Sequence, residues 1–176
     1  LTGGLGGLGL QWLPLLTSSE WGGATRLVLA SRSGRPTEEA MPTLERARAA
    51  GAEIVCSRCD VAAEQEVAHI LATDASSPSK PLAGIFHLAG LAGDGRIVDL
   101  RWADFLAQGT AKIHGSHHLH TQATAGKVAL DHFVLFTSIY GLLGNPQLSH
   151  YAAANAYQDG LAHARLGEGL PALAVS

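Results

Sequence analysis

Sulfur and charge are scarce in this chain. Its 176 residues include two cysteines and one methionine, and Asp, Glu, Lys and Arg together make up only 15%. Two cysteines cannot staple a secreted scaffold, and a chain of this length can bury a core without one. A net charge of −3 lacks the positive field that nucleic-acid binding requires. The twelve Lys and Arg are spread out, which leaves no basic cluster for an anionic membrane. The 21 glycines show no period, which excludes collagen and low-complexity chains. The longest uncharged run, residues 133–158, is interrupted by Thr137, Ser138, Asn145, Pro146, Gln147, Ser149 and His150. Those polar groups would be costly in hydrocarbon, so the run is not read as a membrane span. The chain opens at Leu1, and no secretory leader is visible. The expectation is a cytoplasmic protein without nucleic-acid or membrane partners.

Apolar residues supply 47% of the chain, arranged as short runs between helical stretches. Strands are expected over 26–30, 52–56, 82–88, 130–136 and 172–175. Helices are expected over 7–18, 37–50, 63–74, 102–123 and 149–166. That alternation implies βαβ units, hence an α/β fold with a doubly wound parallel sheet and helices on both faces. No repeat, linker or second domain interrupts residues 1–176. The glycine-rich loop over 2–9 should follow a strand, yet only Leu1 precedes it, and the last strand runs into Ser176. The chain therefore reads as a domain fragment truncated at both ends.

Thr2-Gly3-Gly4-Leu5-Gly6-Gly7-Leu8-Gly9 has the pattern T-G-x-x-x-G-x-G. Glycines permit a tight turn and bring the backbone close to a pyrophosphate, while the helix that opens there offers free N–H groups and a positive dipole end. The next strand ends at Ser31-Arg32-Ser33-Gly34, with no acid until Glu38. A ribose 2′-hydroxyl is usually met by a carboxylate at this place, whereas a guanidinium suits a 2′-phosphate, so NADPH is the expected cofactor. Cys59-Asp60-Val61 closes the following strand, where Asp60 could bond an adenine amino group. His87-Leu88-Ala89-Gly90 closes the next, and Gly90 would leave room beside the cofactor.

The chemical end lies further on. Ser138 sits just past a strand, and Tyr151 and Asn155 share one face of a helix at i and i+4. An unperturbed phenol titrates at about pH 10, so acid–base work near neutrality calls for a nearby ammonium. Lys112, on the preceding long helix, is the only lysine between Lys80 and Lys127. The other phenols, Tyr140 and Tyr157, have neither Asn nor Lys four residues on. Cys56 and Cys59, three apart on a strand, point to opposite faces and read as structural cysteines. His114, His117 and His118 share a helical face near His120, but no acid or Cys follows Asp104 in that helix. The cluster reads as a polar face, not a metal site. Trp12, Trp21 and Trp102 read as packing residues.

These residues resemble those of a known family, the ketoreductase domains of modular polyketide synthases within the short-chain dehydrogenase/reductase superfamily. The resemblance covers essentially the whole chain. It rests on the 2–9 loop, Ser31-Arg32-Ser33-Gly34, Cys59-Asp60-Val61, His87-Leu88-Ala89-Gly90, Ala111-Lys112, Phe136-Thr137-Ser138 and Tyr151-Ala152-Ala153-Ala154-Asn155. Most relatives carry lysine four residues after the tyrosine. These ketoreductases take it from the earlier helix and place asparagine at the later position, as Lys112 and Asn155 do.

The resemblance implies a Rossmann-like fold and NADPH-dependent reduction of a 3-oxoacyl thioester. The substrate would ride on the phosphopantetheine of an acyl carrier protein, beside further synthase domains, in polyketide or fatty acid synthesis. It implies Tyr151 as proton donor and Ser138 as hydrogen-bond partner of the same oxygen. Lys112 would hold the nicotinamide ribose and tune the phenol, and Asn155 would support a proton relay. It implies cofactor contacts from Thr2, Gly3, Gly4, Leu5, Gly6, Gly7, Leu8, Ser31, Arg32, Asp60, Val61, Ala89 and Gly90. The missing parts would be a first strand and a C-terminal substrate lid. The family's stereochemical Leu-Asp-Asp motif aligns with Ala92-Gly93-Asp94, and the Trp of the opposite class would fall at Leu143. Asp94 and Pro146 lean toward a D-hydroxy product, although His150 replaces the usual Asn. A free-standing reductase, a non-catalytic nucleotide-binding domain and an epimerase-like dehydratase are the alternatives. The exchanged Lys112/Asn155 pair and the cut ends count against the first, the intact set Lys112, Ser138, Tyr151 and Asn155 against the second, and Asn155 against the third.

Overall fold

The computed structural model describes residues 1–20, 23–75, 79–91 and 93–176. Trp21 and Ala92 lie outside them. The elements run α1 (Gly7–Thr17), β1 (Arg26–Ser31), α2 (Met41–Ala49), β2 (Glu53–Arg58), α3 (Glu64–Ala72), β3 (Gly84–His87), α4 (Trp102–Gly109), α5 (Gly115–Ala125), β4 (His132–Phe136), α6 (Tyr140–Leu143), α7 (Ser149–Gly167) and β5 (Leu173–Val175). A 3-10 turn, Glu38–Ala40, leads into α2, which has a proline in its first turn. A π turn, Thr110–His114, joins α4 to α5.

All strand pairs are parallel. β1 pairs with β2, β3 with β4, and β4 with β5. Thr2 joins the two groups by bridging Ala30 on one side and His87 on the other. Its N–H donates to Phe86 O (3.0 Å), its carbonyl accepts from Leu88 (2.9 Å), and Gly3 N–H donates to Ala30 O (2.8 Å). The spatial order is therefore β2-β1-Thr2-β3-β4-β5. The order reverses at Thr2, where the strand ends open a crevice suited to a ligand.

Side chains alternate across the sheet, as the two-residue period of a strand requires. Leu27 and Leu29 pack with Leu13, Leu44, Ala47 and Ile54 on one face. Ala30, Ile85, Phe133 and Leu135 pack with Val67, Ile70, Leu71, Leu119, Ala123 and Ala162 on the other. Helices α1 and α2 thus cover one face, and α3, α5 and α7 the other, giving the expected doubly wound sheet. Among the described residues, no helix is long and apolar enough to cross a membrane.

Three local expectations need correction. The helix expected over 102–123 is divided by the π turn, because an inserted residue shifts the bonding pattern without disturbing the apolar spacing that signals a helix. Trp102 is not a packing residue. It is 73% exposed and stacks on Phe105. Trp12, in contrast, packs edge-on against Phe136 with ring centroids 5.1 Å apart. β2 ends at Arg58, so Cys59 lies beyond the strand. Burial pushes the Cys59 thiol up to about 11, and both cysteines are free.

Candidate active site

The glycine loop enters the site at a switch point in the sheet. Gly3 adopts φ +71°, and a Cβ there would lie 2.8 Å from Ala89 N. At Gly9 a Cβ would lie 2.5 Å from Gly4 O. The loop is therefore closed backbone-to-backbone at two points. α1 then starts without a side-chain cap and without an acid in its first turn. Gly6 N–H is spent on Gly3 O (3.0 Å), and the first intrahelical bond runs from Leu10 N–H to Gly6 O, so the N–H groups of Gly7, Leu8 and Gly9 remain available to a ligand, at the positive end of the helix.

A cleft of about 410 Å³ opens at this end of the sheet. Its walls include Gly3, Gly6, Gly7, Leu8, Ser31, Arg32, Asp60, Val61, Ala89 and Gly90, all expected, together with Cys59, Leu91, Ala107, Thr110 and Ala111. Thr2, Gly4 and Leu5 are not among them. Thr2 and Gly4 are buried beneath the loop, and Leu5 packs on the apolar core under α1. They shape the cradle from below. Bare glycine backbone, free helix N–H groups and a neighbouring guanidinium are together a suitable donor set for a dinucleotide.

At the far end of the cleft, Gly34 turns the chain with φ +64°. Its N–H donates to Ser31 Oγ (3.0 Å). Arg32 is exposed and, among the described residues, forms no salt bridge. Asp60 Oδ1 accepts from Ala62 N–H (3.0 Å), so the carboxylate also shapes its own turn. Gly90 lies on the cleft wall, but the space it leaves is filled by the lysine. A Cβ there would lie 2.9 Å from Lys112 Cε.

The π turn carries Lys112 inward. The lysine is 6% exposed. Its Nζ donates to Phe136 O (2.7 Å) and to Gln158 Oε1 (3.1 Å), and lies 5.6 Å from the centroid of the Tyr151 ring. Burial lowers its pKa to about 8, opposed by the charge of Asp159. Asn155 is fully buried. Its Nδ2 donates to Tyr151 O (2.7 Å), while its Oδ1 has no partner among the described residues. An unpaired buried acceptor costs about 1–3 kcal/mol, so a donor from a bound molecule would be favoured there. Ser138 follows β4, and its Oγ accepts from Tyr140 N–H (3.3 Å). α6 lies directly on α7, where a Cβ at Gly141 would come within 3.2 Å of Asn155 Cβ.

The structure thus gathers Lys112, Tyr151 and Asn155 in one place, with Ser138 at the base of the neighbouring helix. Two further residues belong to this neighbourhood. Gln158 is fully buried, and its distance of seven from Tyr151 on one helix is the signal that could have found it. His87 is also fully buried, and in the sequence it stands in the segment His87-Leu88-Ala89-Gly90 that closes a strand, with no role of its own read there. Tyr157 instead meets His117, 3.3 Å from phenol oxygen to Nδ1, outside this group. The loop carrying Asp94 is tied to the one carrying Pro146 by a bond from Gly95 N–H to Gln147 O (2.8 Å).

Comparison with known proteins identifies the family of this chain. The family model for the KR domain matches residues 1–176. The chain is 38% identical over 177 aligned residues to the phthioceranic/hydroxyphthioceranic acid synthase of Mycobacterium tuberculosis (strain ATCC 25618 / H37Rv), covering all of this chain and 8% of that synthase. It is 34% identical to erythronolide synthase EryA3 of Saccharopolyspora erythraea, covering all of this chain and 5% of that protein. A solved A-type ketoreductase from a modular polyketide synthase superposes with a TM-score of 0.90 at 36% identity, over 99% of this chain and 36% of that one. The first ketoreductase of the tylosin synthase superposes with a TM-score of 0.86 at 38% identity, over 99% and 36%. The chain therefore spans a small part of its curated relatives and about a third of these solved chains. It belongs to the KR domain family, the ketoreductase domains of modular polyketide synthases.

Proposed function

We propose that this domain reduces a 3-oxoacyl thioester, carried on the phosphopantetheine of an acyl carrier protein, to the 3-hydroxyacyl thioester with NADPH. It would act as one station of a cytoplasmic synthase whose other domains share its chain. The observation that carries the reading is Lys112, buried on a π turn between the nucleotide cleft and the Tyr151 ring.

Gly3, Gly6, Gly7 and Leu8 would hold the pyrophosphate of the cofactor, with Thr2, Gly4 and Leu5 supporting the loop from below. Ser31 and Arg32 would meet the 2′-phosphate, and Asp60 and Val61 the adenine. Ala89 and Gly90 would flank the nicotinamide half. When bound, NADPH supplies the hydride for the reduction. Tyr151 donates the proton to the oxygen that becomes the alcohol, and Ser138 hydrogen-bonds that oxygen. The Lys112 ammonium would hold the nicotinamide ribose and set positive charge beside the phenolate as it forms. Asn155 backs this group with its free acceptor. Placing donors and charge where the oxygen becomes negative is the main catalytic contribution. Asp94 and Pro146 favour the D-hydroxy product, which chiral analysis of the reduced thioester reads directly.

The test is NADPH consumption with a short 3-oxoacyl thioester, measured on the polypeptide as the cell makes it. Thioester-dependent consumption that yields the 3-hydroxy product is expected. Tight NADPH binding with no turnover on any 3-oxoacyl thioester would contradict the reading.

A further inference from the structure

His87 takes no part in the chemistry above, yet both of its ring nitrogens are engaged. Nε2 lies 3.0 Å from Ala111 O, and Nδ1 lies 2.6 Å from Thr2 Oγ1. A carbonyl can only accept, so Nε2 carries the proton. A neutral imidazole has only one such proton, so Nδ1 accepts from the Thr2 hydroxyl. The ring is fully buried. Burial and the nearby Lys112 charge hold its pKa down at about 3, which keeps this single tautomer across the physiological range.

The two partners belong to different parts of the site. Thr2 is the root of the glycine loop and the residue on which the strand order reverses. Ala111 sits in the π turn, immediately before Lys112. Gly115, at the end of that turn, lets the ring approach. A Cβ there would lie 3.1 Å from His87 Cε1. Among the described residues, the other buried tether of this turn to the sheet is the Lys112 ammonium on Phe136 O. We infer that His87 is a positioning residue, whose imidazole ties the glycine loop to the π turn and so fixes Lys112 relative to the nucleotide cleft. The inference rests on the reductase reading given above.

The test compares His87→Leu, His87→Gln and Thr2→Val with the unaltered polypeptide. Leucine fills the space without hydrogen bonds, whereas glutamine keeps one donor and one acceptor. Thr2→Val removes one hydroxyl at nearly constant volume. Four quantities are read: melting temperature, NADPH affinity by fluorescence titration, amide hydrogen exchange over residues 110–116, and the pH profile of kcat. The groups that face Lys112 in that profile are Tyr151 and Asp159 on α7 and His87 itself on β3.

For His87→Leu the expectation is a loss of about ten- to hundredfold in kcat, since small misplacements of a catalytic group have effects of this size. Weaker NADPH binding, faster exchange over 110–116 and a displaced pH profile should accompany it. His87→Gln should restore most of each, and Thr2→Val should move all of them the same way by a smaller factor. If His87→Leu does not fold, the other two variants decide the matter by the same signs. The inference is overturned if the folded variants keep the unaltered exchange rates over 110–116 and the unaltered pH profile, whether or not the melting temperature drops. If the unaltered chain turns over no 3-oxoacyl thioester, the functional reading fails instead, while exchange and NADPH affinity still judge the tether.

Discussion

Lys112 and Gln158, 46 residues apart in sequence, are joined by two hydrogen bonds. The ammonium donates to Gln158 Oε1 (3.1 Å), and Gln158 Nε2 donates back to Lys112 O (3.4 Å). The glutamine therefore holds both the charge and the backbone that carries it. This locks the lysine against α7 and keeps the charge in a place where water is scarce.

That burial gives stability a pH signature. Lys112 titrates at about 8 in the fold, against an ordinary 10.5. Between those values the unfolded chain holds a proton that the folded chain has released, so stability rises with pH across the window and the gain is lost as pH falls back through 8. Lys112→Met removes this contribution. Denaturant titrations of the two proteins at pH 7.5 and 10.5 should show the unaltered protein gaining on the variant, by up to about 3 kcal/mol. A stability difference independent of pH would show that the lysine is not desolvated.

Cofactor preference should follow Arg32. A charge-assisted hydrogen bond contributes about 1.5–3 kcal/mol, which corresponds to roughly ten- to hundredfold in affinity. NADPH is expected to bind more tightly than NADH by that factor. Arg32→Asp should erase or reverse the preference, because repulsion replaces attraction. Fluorescence titration with both cofactors reads the ratio. Equal binding of the two by the unaltered protein would assign the phosphate site elsewhere.

Gly9→Ala should destabilise the fold by about 2 kcal/mol or more, as expected where an added methyl meets fixed backbone. The added Cβ would lie 2.5 Å from Gly4 O and 2.6 Å from Gly4 Cα, and neither can yield without moving the loop. The thermal midpoint and NADPH affinity should fall together. Gly7→Ala serves as the control for the thermal midpoint alone, since a Cβ there meets nothing within 4 Å.

The parts of this molecule that the sequence displayed are those governed by short-range rules. Alternating apolar runs gave the strands 26–30 and 130–136 nearly to their observed bounds, and the spacing of Tyr151 and Asn155 placed both on one helix. The π turn was hidden because Thr110–His114 continues the helical composition around it, and only the bonding pattern changes. The short helix Tyr140–Leu143 was missed because four residues are too few to show a period. Gln158 was not singled out, and His87 was read only as part of a strand-closing segment, for a different reason. Their importance comes from partners 46 and 85 residues away, and no local pattern records such contacts.

Tyr151→Phe tests the central claim most directly. On the proposed reading the phenol serves the substrate oxygen and not the dinucleotide, so NADPH affinity should survive the change while turnover of a 3-oxoacyl thioester falls by about a hundredfold or more, the range of a lost general acid. Steady-state rates and NADPH titrations of the two proteins, made side by side, give both numbers. A Tyr151→Phe protein that retains most of its activity would show that another group delivers the proton, and would contradict the account.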